Sequence, residues 1–293
     1  MNQTIASVLA VLAGIFFGSA GVFVRPLTAG GLDNITIVFM RTIFALIMLF
    51  IYILITDKTL LKVRLKDFWV IACAGIVGTM MTAVAINIST VELTLSLAAI
   101  LSALFPVFVL IMSRIVFKEK ITGKKVICMI AAFIGAFLAT GLIGSDIKIS
   151  FIGILAGLGS AIFYGSYSIF SKIAVERGYR SFTIIFYGML VIAIVTAPFN
   201  DYGKVIEYIQ ADPVFNFGVL FGHSLFIAVL SYVFLNIALQ HIEPGKCSIL
   251  ASCEPVAAMV CGIIFFHEVP TFLGILGLVI TMAACTILVV DKK

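Results

Sequence analysis

The amino-acid sequence predicts an all-α polytopic membrane protein of ten transmembrane helices, arranged as two inverted five-helix repeats. Three observations carry that expectation: an extreme apolar composition, a series of apolar runs of spanning length, and motifs that recur once, half a chain apart. Residues of the set AVILMFWYC make up 62% of the 293, charged residues only 11%, and mean hydropathy is +1.24. Soluble domains average about 45–50% apolar and about 25% charged. Length alone would admit two such domains, but the composition excludes them.

A hydrocarbon core of about 30 Å takes about 20 apolar residues per helix. Such runs fall at 5–24, 34–56, 67–88, 95–113, 125–144, 151–172, 182–199, 214–239, 245–266 and 271–290, here helices 1 to 10. The loops between them are short and leave no room for a soluble domain. A spanning β-barrel needs strands of about ten residues with alternating polarity, and runs such as 34–56 show no alternation. The first run has no basic segment before it and is long enough to span, so it reads as helix 1 rather than a cleaved signal peptide. The six cysteines (Cys73, Cys128, Cys247, Cys253, Cys261, Cys285) fall within helices without CxxC or Cys/His ligand spacing. They read as small apolar packing residues, and neither a metal nor another cofactor is expected.

The net charge of +5 is a topology signal. With the N-terminus inside, Lys58, Lys62, Arg64, Lys66, Arg114, Lys118, Lys120, Lys124, Lys125, Lys172, Arg177, Arg180, Lys246, Lys292 and Lys293 all fall on the inner side. Arg25, Lys148 and Lys204 fall outside, and Arg41 lies within a span. Fifteen against three places both termini in the cytoplasm of a cell (inner) membrane by the positive-inside rule. A nucleic-acid partner has little support. The expected partners are a small-molecule substrate and membrane lipid, with a homodimer left open.

Two stretches overlay their counterparts almost without gaps. At an offset of 147, Gly14-Ile15-Phe16-Phe17-Gly18-Ser19 meets Ala161-Ile162-Phe163-Tyr164-Gly165-Ser166, and Phe23, Gly31, Thr36, Ile37 and Phe39 meet Phe170, Gly178, Thr183, Ile184 and Phe186. At an offset of 149, Asn87 meets Asn236, Ile100-Leu101 meets Ile249-Leu250, and Pro106-Val107 meets Pro255-Val256. Phe117-Lys118-Glu119 meets Phe266-His267-Glu268 at that same offset of 149. The expected repeats are 1–146 and 147–293. Five helices per repeat is an odd number, so the second copy must enter the membrane from the opposite side. The loop around Lys118 and Lys125 is basic while that around His267 and Glu268 carries no Lys or Arg, as inversion requires. Inverted repeats are a recurring plan of secondary transporters.

The stretches Leu104-Phe105-Pro106-Val107 to Phe117-Lys118-Glu119 and Cys253-Glu254-Pro255-Val256 to Phe266-His267-Glu268 resemble the paired signatures of the EamA family, within the drug/metabolite transporter superfamily. The resemblance spans 5–290 and is moderately specific. It implies ten helices and a central cavity lined mainly by helices 1, 3, 4, 6, 8 and 9. It also implies transport of amino acids or other small metabolites, often as export.

Candidate site residues follow from polar or helix-breaking groups at membrane depth. Pro106 and Pro255 interrupt corresponding helices; a proline removes a backbone hydrogen bond, and in lipid the freed carbonyl is tolerated only against protein or a watery cavity. The bland alternative is a pair of packing kinks. Glu254 stands about ten residues into helix 9, roughly 14 Å deep. Its three open roles are proton coupling, counter-charge to a substrate amine, and a structural acceptor between helices. Its repeat counterpart is Phe105, so the carboxylate distinguishes one half. Arg41 is expected to snorkel to the outer interface or form an ion pair, with a substrate carboxylate as the second reading. His223 is expected to make a polar contact between helices, with proton relay as the rival reading. Asn87 and Asn236 read as helix caps or gate residues. Tyr164 and Tyr167 share a face of helix 6, and with Ser19 and Phe16 would line an aromatic and polar cavity, or pack as core.

No enzyme signature is found. His267-Glu268-Val269-Pro270 lacks the second His of HExxH, where Thr271 stands, and Gly222-His223-Ser224 lacks the closing Gly of GxSxG, where Phe226 stands. No GxxxxGK[ST] loop occurs, so ATP drive by this chain is not expected. The rival classes are a membrane-embedded enzyme or lipid-handling protein, which would need a catalytic cluster, and a non-transporting subunit.

Overall fold

The computed structural model describes residues 2–93, 95–139, 150–267, 269 and 271–290. Lys148, Glu268, Lys292, Lys293 and the repeat boundary at 146/147 lie outside them. The described residues are helical with irregular links and contain no strand. Nine helices among them are long and apolar enough to cross a membrane: Gln3–Ala29, Asn34–Thr56, Leu65–Glu92, Leu97–Val116, Phe151–Glu176, Ser181–Phe199, Pro213–Leu239, Pro244–Phe266 and Phe272–Val290. The expected helix 5 is present as Gly123–Ala139, and its last expected residues lie outside the described set. One element was not anticipated. Tyr202–Ala211 is a surface helix between helices 7 and 8, seated by buried Val205 and Tyr208 and too polar for a search by hydropathy alone.

The packing obeys a two-fold relation between the halves. Helix 1 packs on helices 8 and 9, as its counterpart helix 6 packs on helices 3 and 4. Helix 2 packs on helix 7, and helix 5 on helix 10, each against its own repeat partner. Without a hydrophobic force between helices in lipid, association rests on close contact through small residues. Gly14 and Gly18 of helix 1 lie against the Ala251 and Glu254 carbonyls of helix 9, and Gly135 of helix 5 lies against Gly277 and Thr281 of helix 10.

Backbone irregularities recur at the repeat offsets. Among the described residues, non-glycine positive φ occurs at Lys118 (56°) and His267 (54°), and glycine positive φ at Gly31 (85°) and Gly178 (89°). The two glycines end corresponding helices, where a left-handed residue stops the helix at no Cβ cost. Helices 3 and 8 carry π-helical segments, Ala74–Met80 and Ser224–Leu230, that correspond within one residue. Helices 4 and 9 are each broken before their proline, with Leu104 at φ −73°, ψ −4° and Cys253 at φ −71°, ψ −3°. Helix 1 breaks in the same way at Ser19 (φ −75°, ψ −2°), whereas Ser166, its counterpart, lies inside the unbroken Phe151–Glu176. The repeat is thus written in the backbone as well as in the side chains.

Candidate functional site

The three broken helices meet. Their breaks form much of the wall of a cavity of about 500 Å³. Helix 1 contributes Phe17, Gly18, Ala20, Gly21 and Arg25; helix 4 contributes Ala99, Ser102, Ala103 and Phe105; helix 9 contributes Ser252, Glu254, Pro255, Ala258 and Met259. Ile86 of helix 3 and Tyr164 of helix 6 complete it. No residue of helix 8 is on this wall, in contrast to the six-helix lining that the resemblance implied. Two other hollows, at Pro26, Gly30 and Tyr208 and at Thr59, Arg177 and Tyr179, lie at the two ends of the bundle rather than at its centre.

The prolines stand differently from a simple kink. Pro106 and Pro255 are the second residues of the half-helices Phe105–Val116 and Glu254–Phe266. In a first turn the missing N–H has no intrahelical partner to lose, so proline is tolerated there. The cost falls on the carbonyls one turn earlier: that of Ala251 lies against Gly14 of helix 1, and Ser102 is on the cavity wall. Alanine at either position restores an N–H and allows the two half-helices to fuse. Pro106→Ala and Pro255→Ala should each lower flux while the protein still inserts; normal flux in both variants would reduce the prolines to packing features.

Glu254 opens its half-helix, so it occupies the end where unsatisfied N–H groups and the helix dipole favour a carboxylate. It is half-buried, and its Oε2 accepts a 2.9 Å hydrogen bond from the Tyr164 hydroxyl. Tyr164 stacks on Phe105, the residue symmetric to Glu254, with centroids 4.4 Å apart. Arg25 is also on the wall, its guanidinium 4.2 Å from the Phe266 ring centroid. Gly21 and Arg25 are four residues apart on the outer half-helix Ala20–Ala29 and so share its face, and Phe17 reaches the same wall from across the break at Ser19. The four-residue spacing from Gly21 was the available signal for Arg25, which the charge count used only as a residue of the outer side.

Several expected residues lie elsewhere. Phe16 and Ser19 are absent from the cavity wall: Phe16 packs on Phe226 and Phe234, and the Ser19 hydroxyl donates to the Phe16 carbonyl across the break. Tyr167 is buried behind the wall and accepts a 2.6 Å hydrogen bond from Asn236 Nδ2, which also donates to the Tyr232 carbonyl. Asn236 therefore ties helix 8 to helix 6 rather than capping a helix. Asn87 likewise lies a turn inside helix 3, which ends at Glu92. Arg41 is part-buried and its Nε is enclosed without a hydrogen-bond partner among the described residues; the expected ion pair is not among its contacts there. His223 is 2% exposed, and its Nδ1 is also unpartnered there, in contrast to the satisfied interhelical contact expected.

The opposite end of the bundle, where the basic loops gather, is tied shut by polar contacts. Lys125 bridges Glu119, at 2.6 Å, and Glu243, and Glu119 also accepts from the Gly245 amide at 3.2 Å. Asp67 accepts from Arg177 at 2.8 Å and from the Tyr179 hydroxyl at 2.9 Å. Asp57, in the loop after helix 2, is held below the ordinary carboxylate range by the Thr59 hydroxyl and amide, then by Arg180 at 3.1 Å. These contacts join helices 4 and 5 to helix 9, and helices 2 and 3 to helices 6 and 7.

With that geometry in place, the comparisons decide the family. The sequence matches the EamA-like transporter family twice, over residues 4–141 and 151–290. The chain belongs to that family. A protein of Archaeoglobus fulgidus described as an uncharacterized transporter is 25% identical over 268 residues, covering 90% of each chain. A solved structure described only as the crystal structure of a protein superposes with a TM-score of 0.79, covering 96% of this chain and 95% of the other at 12% identity. That likeness concerns the fold alone. The chain is a multi-pass membrane protein of a transporter family, and the two family matches coincide with its two sets of five helices.

Proposed function

We propose that this EamA-family member is a secondary transporter of a small organic metabolite, working by alternating access and serving export. One observation carries the reading: the cavity formed where three helices break holds a carboxylate on its wall, while the other end of the bundle is closed by Lys125, Glu119 and Glu243 and by Asp67 and Arg177. Symmetric helix interruptions at mid-membrane present backbone groups to a solute, and rocking of one repeat against the other exposes the site to each side in turn. With both termini cytoplasmic, the cavity faces outward and the polar ties form the closed cytoplasmic gate. Flux of a labelled metabolite pool into proteoliposomes tests the function; a purified, folded protein that moves none of the pool would count against it.

The orientation has its own test. Single cysteines at Lys62, Lys120 and Arg177 should react with impermeant reagents only from the cytoplasm, and those at Lys148 and Lys204 only from outside. Labelling of position 120 in intact cells would overturn the inverted topology.

A further inference from the structure

Behind the cavity wall lies a second polar centre that the cavity does not use. Phe17 separates the two: its ring meets Tyr164 on the cavity side at 6.2 Å and Tyr232 on the other side at 5.0 Å. Beyond Tyr232, Arg41 of helix 2 is within electrostatic reach of Tyr232 and His223 of helix 8. The two helices are in direct contact over the π-helical segment of helix 8. Arg41 makes no hydrogen bond or ion pair among the described residues, although its Nε is fully enclosed, and the enclosed Nδ1 of His223 is equally unanswered. The Tyr232 hydroxyl is 3.4 Å from Thr79 Oγ1. Arg41 as a whole is only part-buried, so the terminal guanidinium nitrogens are not enclosed with the Nε, and a group that stays charged favours an anion beside it. The surrounding wall is aromatic: Phe23 lies 6.2 Å from the His223 ring and stacks on Phe226 at 5.8 Å.

We infer that Arg41 and His223 form an anion subsite that takes the carboxylate of a small organic solute with an apolar body. The fork of a guanidinium matches a carboxylate bidentately, His223 supplies a further polar contact, and Phe23 and Phe226 receive the apolar part. A single fixed positive charge suits a monocarboxylate, and the aromatic wall disfavours a fully hydrated inorganic anion. Phe17 and Tyr232 then form the partition between this subsite and the Glu254 cavity, so that a ring movement joins the two. The inference rests on the transport reading only for the subsite's use, since binding is measured without a membrane or a flux.

The test is thermal melting of the purified full chain in detergent at constant ionic strength. The probes are benzoate, its uncharged analogue benzamide, and chloride. Benzoate should raise the melting temperature saturably, benzamide and chloride should not, and Arg41→Gln should abolish the shift. Arg41→Lys should bind about tenfold more weakly, the point charge having lost the bidentate fork, and His223→Ala should also weaken binding. Without probe, Arg41→Gln should melt at or above the wild-type temperature, because an unanswered charge has been removed. Equal shifts with benzoate and benzamide, protection by chloride alone, a shift retained in Arg41→Gln, or a large fall in its probe-free melting temperature would each overturn the subsite. Failure of the flux assay with benzoate binding intact would count against transport and leave the subsite standing.

Discussion

Glu254→Gln should abolish the response of net flux to an imposed pH gradient while leaving the protein folded. The side chain stands on the cavity wall, at the start of a half-helix, with Tyr164 donating to it at 2.9 Å. A carboxyl in that position can exchange a proton for a solute as the cavity alternates between the two faces. Glutamine preserves the shape and an oxygen for the Tyr164 hydroxyl but cannot titrate. The structural penalty should be small: a hydrogen bond to a charged acceptor contributes about 1.5–3 kcal/mol and a neutral one about 0.5–1.5 kcal/mol, so stability should fall by about 1 kcal/mol. Solute exchange at equal pH on both sides should persist. The measurement is proteoliposome flux against a pH gradient for wild type, Gln and Ala. Identical pH profiles for wild type and Gln would end the coupling role, and a purely structural glutamate would show itself in Ala through lost stability with coupling intact.

The spans, the repeat and the broken helices 4 and 9 were legible because each rests on an average over many residues or on a residue with a local mechanism. Hydropathy is summed over about 20 positions, and proline acts on its own turn whatever surrounds it. Ser19 shows where that kind of reading stops. Ser19 and Ser166 are the same residue at corresponding positions, yet one marks a break and the other lies inside a straight helix. The difference lies in the neighbours: Gly18 is pressed on the backbone of Glu254, and that contact is made by tertiary packing. The surroundings of Arg41 and His223 were not legible for a related reason. Whether a long polar side chain reaches the interface or the interior depends on the facing helix, and helix 2 packs on the π-helical segment of helix 8, where the Arg41 Nε is enclosed. The surface helix Tyr202–Ala211 escaped because it is amphipathic and short.

The same neighbours yield the second large effect, an asymmetry between two glycines that the repeat makes equivalent. Gly18 of helix 1 approaches the break of helix 9, and Gly165 of helix 6 approaches the break of helix 4. A Cβ at Gly18 would lie 2.3 Å from the Glu254 carbonyl oxygen and 2.7 Å from the Ala257 Cβ, neither of which can swing aside. A Cβ at Gly165 would meet the Met112 Cε and a Val109 methyl at 3.0 Å, and the Phe105 carbonyl only at 3.4 Å. Methionine is flexible enough to yield a few tenths of an ångström. Alanine favours a helix over glycine by about 0.5–1 kcal/mol, which offsets mild crowding but not backbone overlap, where overpacking costs about 1–3 kcal/mol. Gly165→Ala should therefore be close to neutral in melting temperature and flux. Gly18→Ala should destabilise by about 1–3 kcal/mol and lose most of its flux, because helix 1 must move away from the residue that carries the cavity carboxylate. Melting of both variants in detergent and flux in proteoliposomes settle the comparison. Equal losses at the two positions would mean that helix 1 relaxes freely at its break, and that close approach to Glu254 is not what holds the cavity in shape.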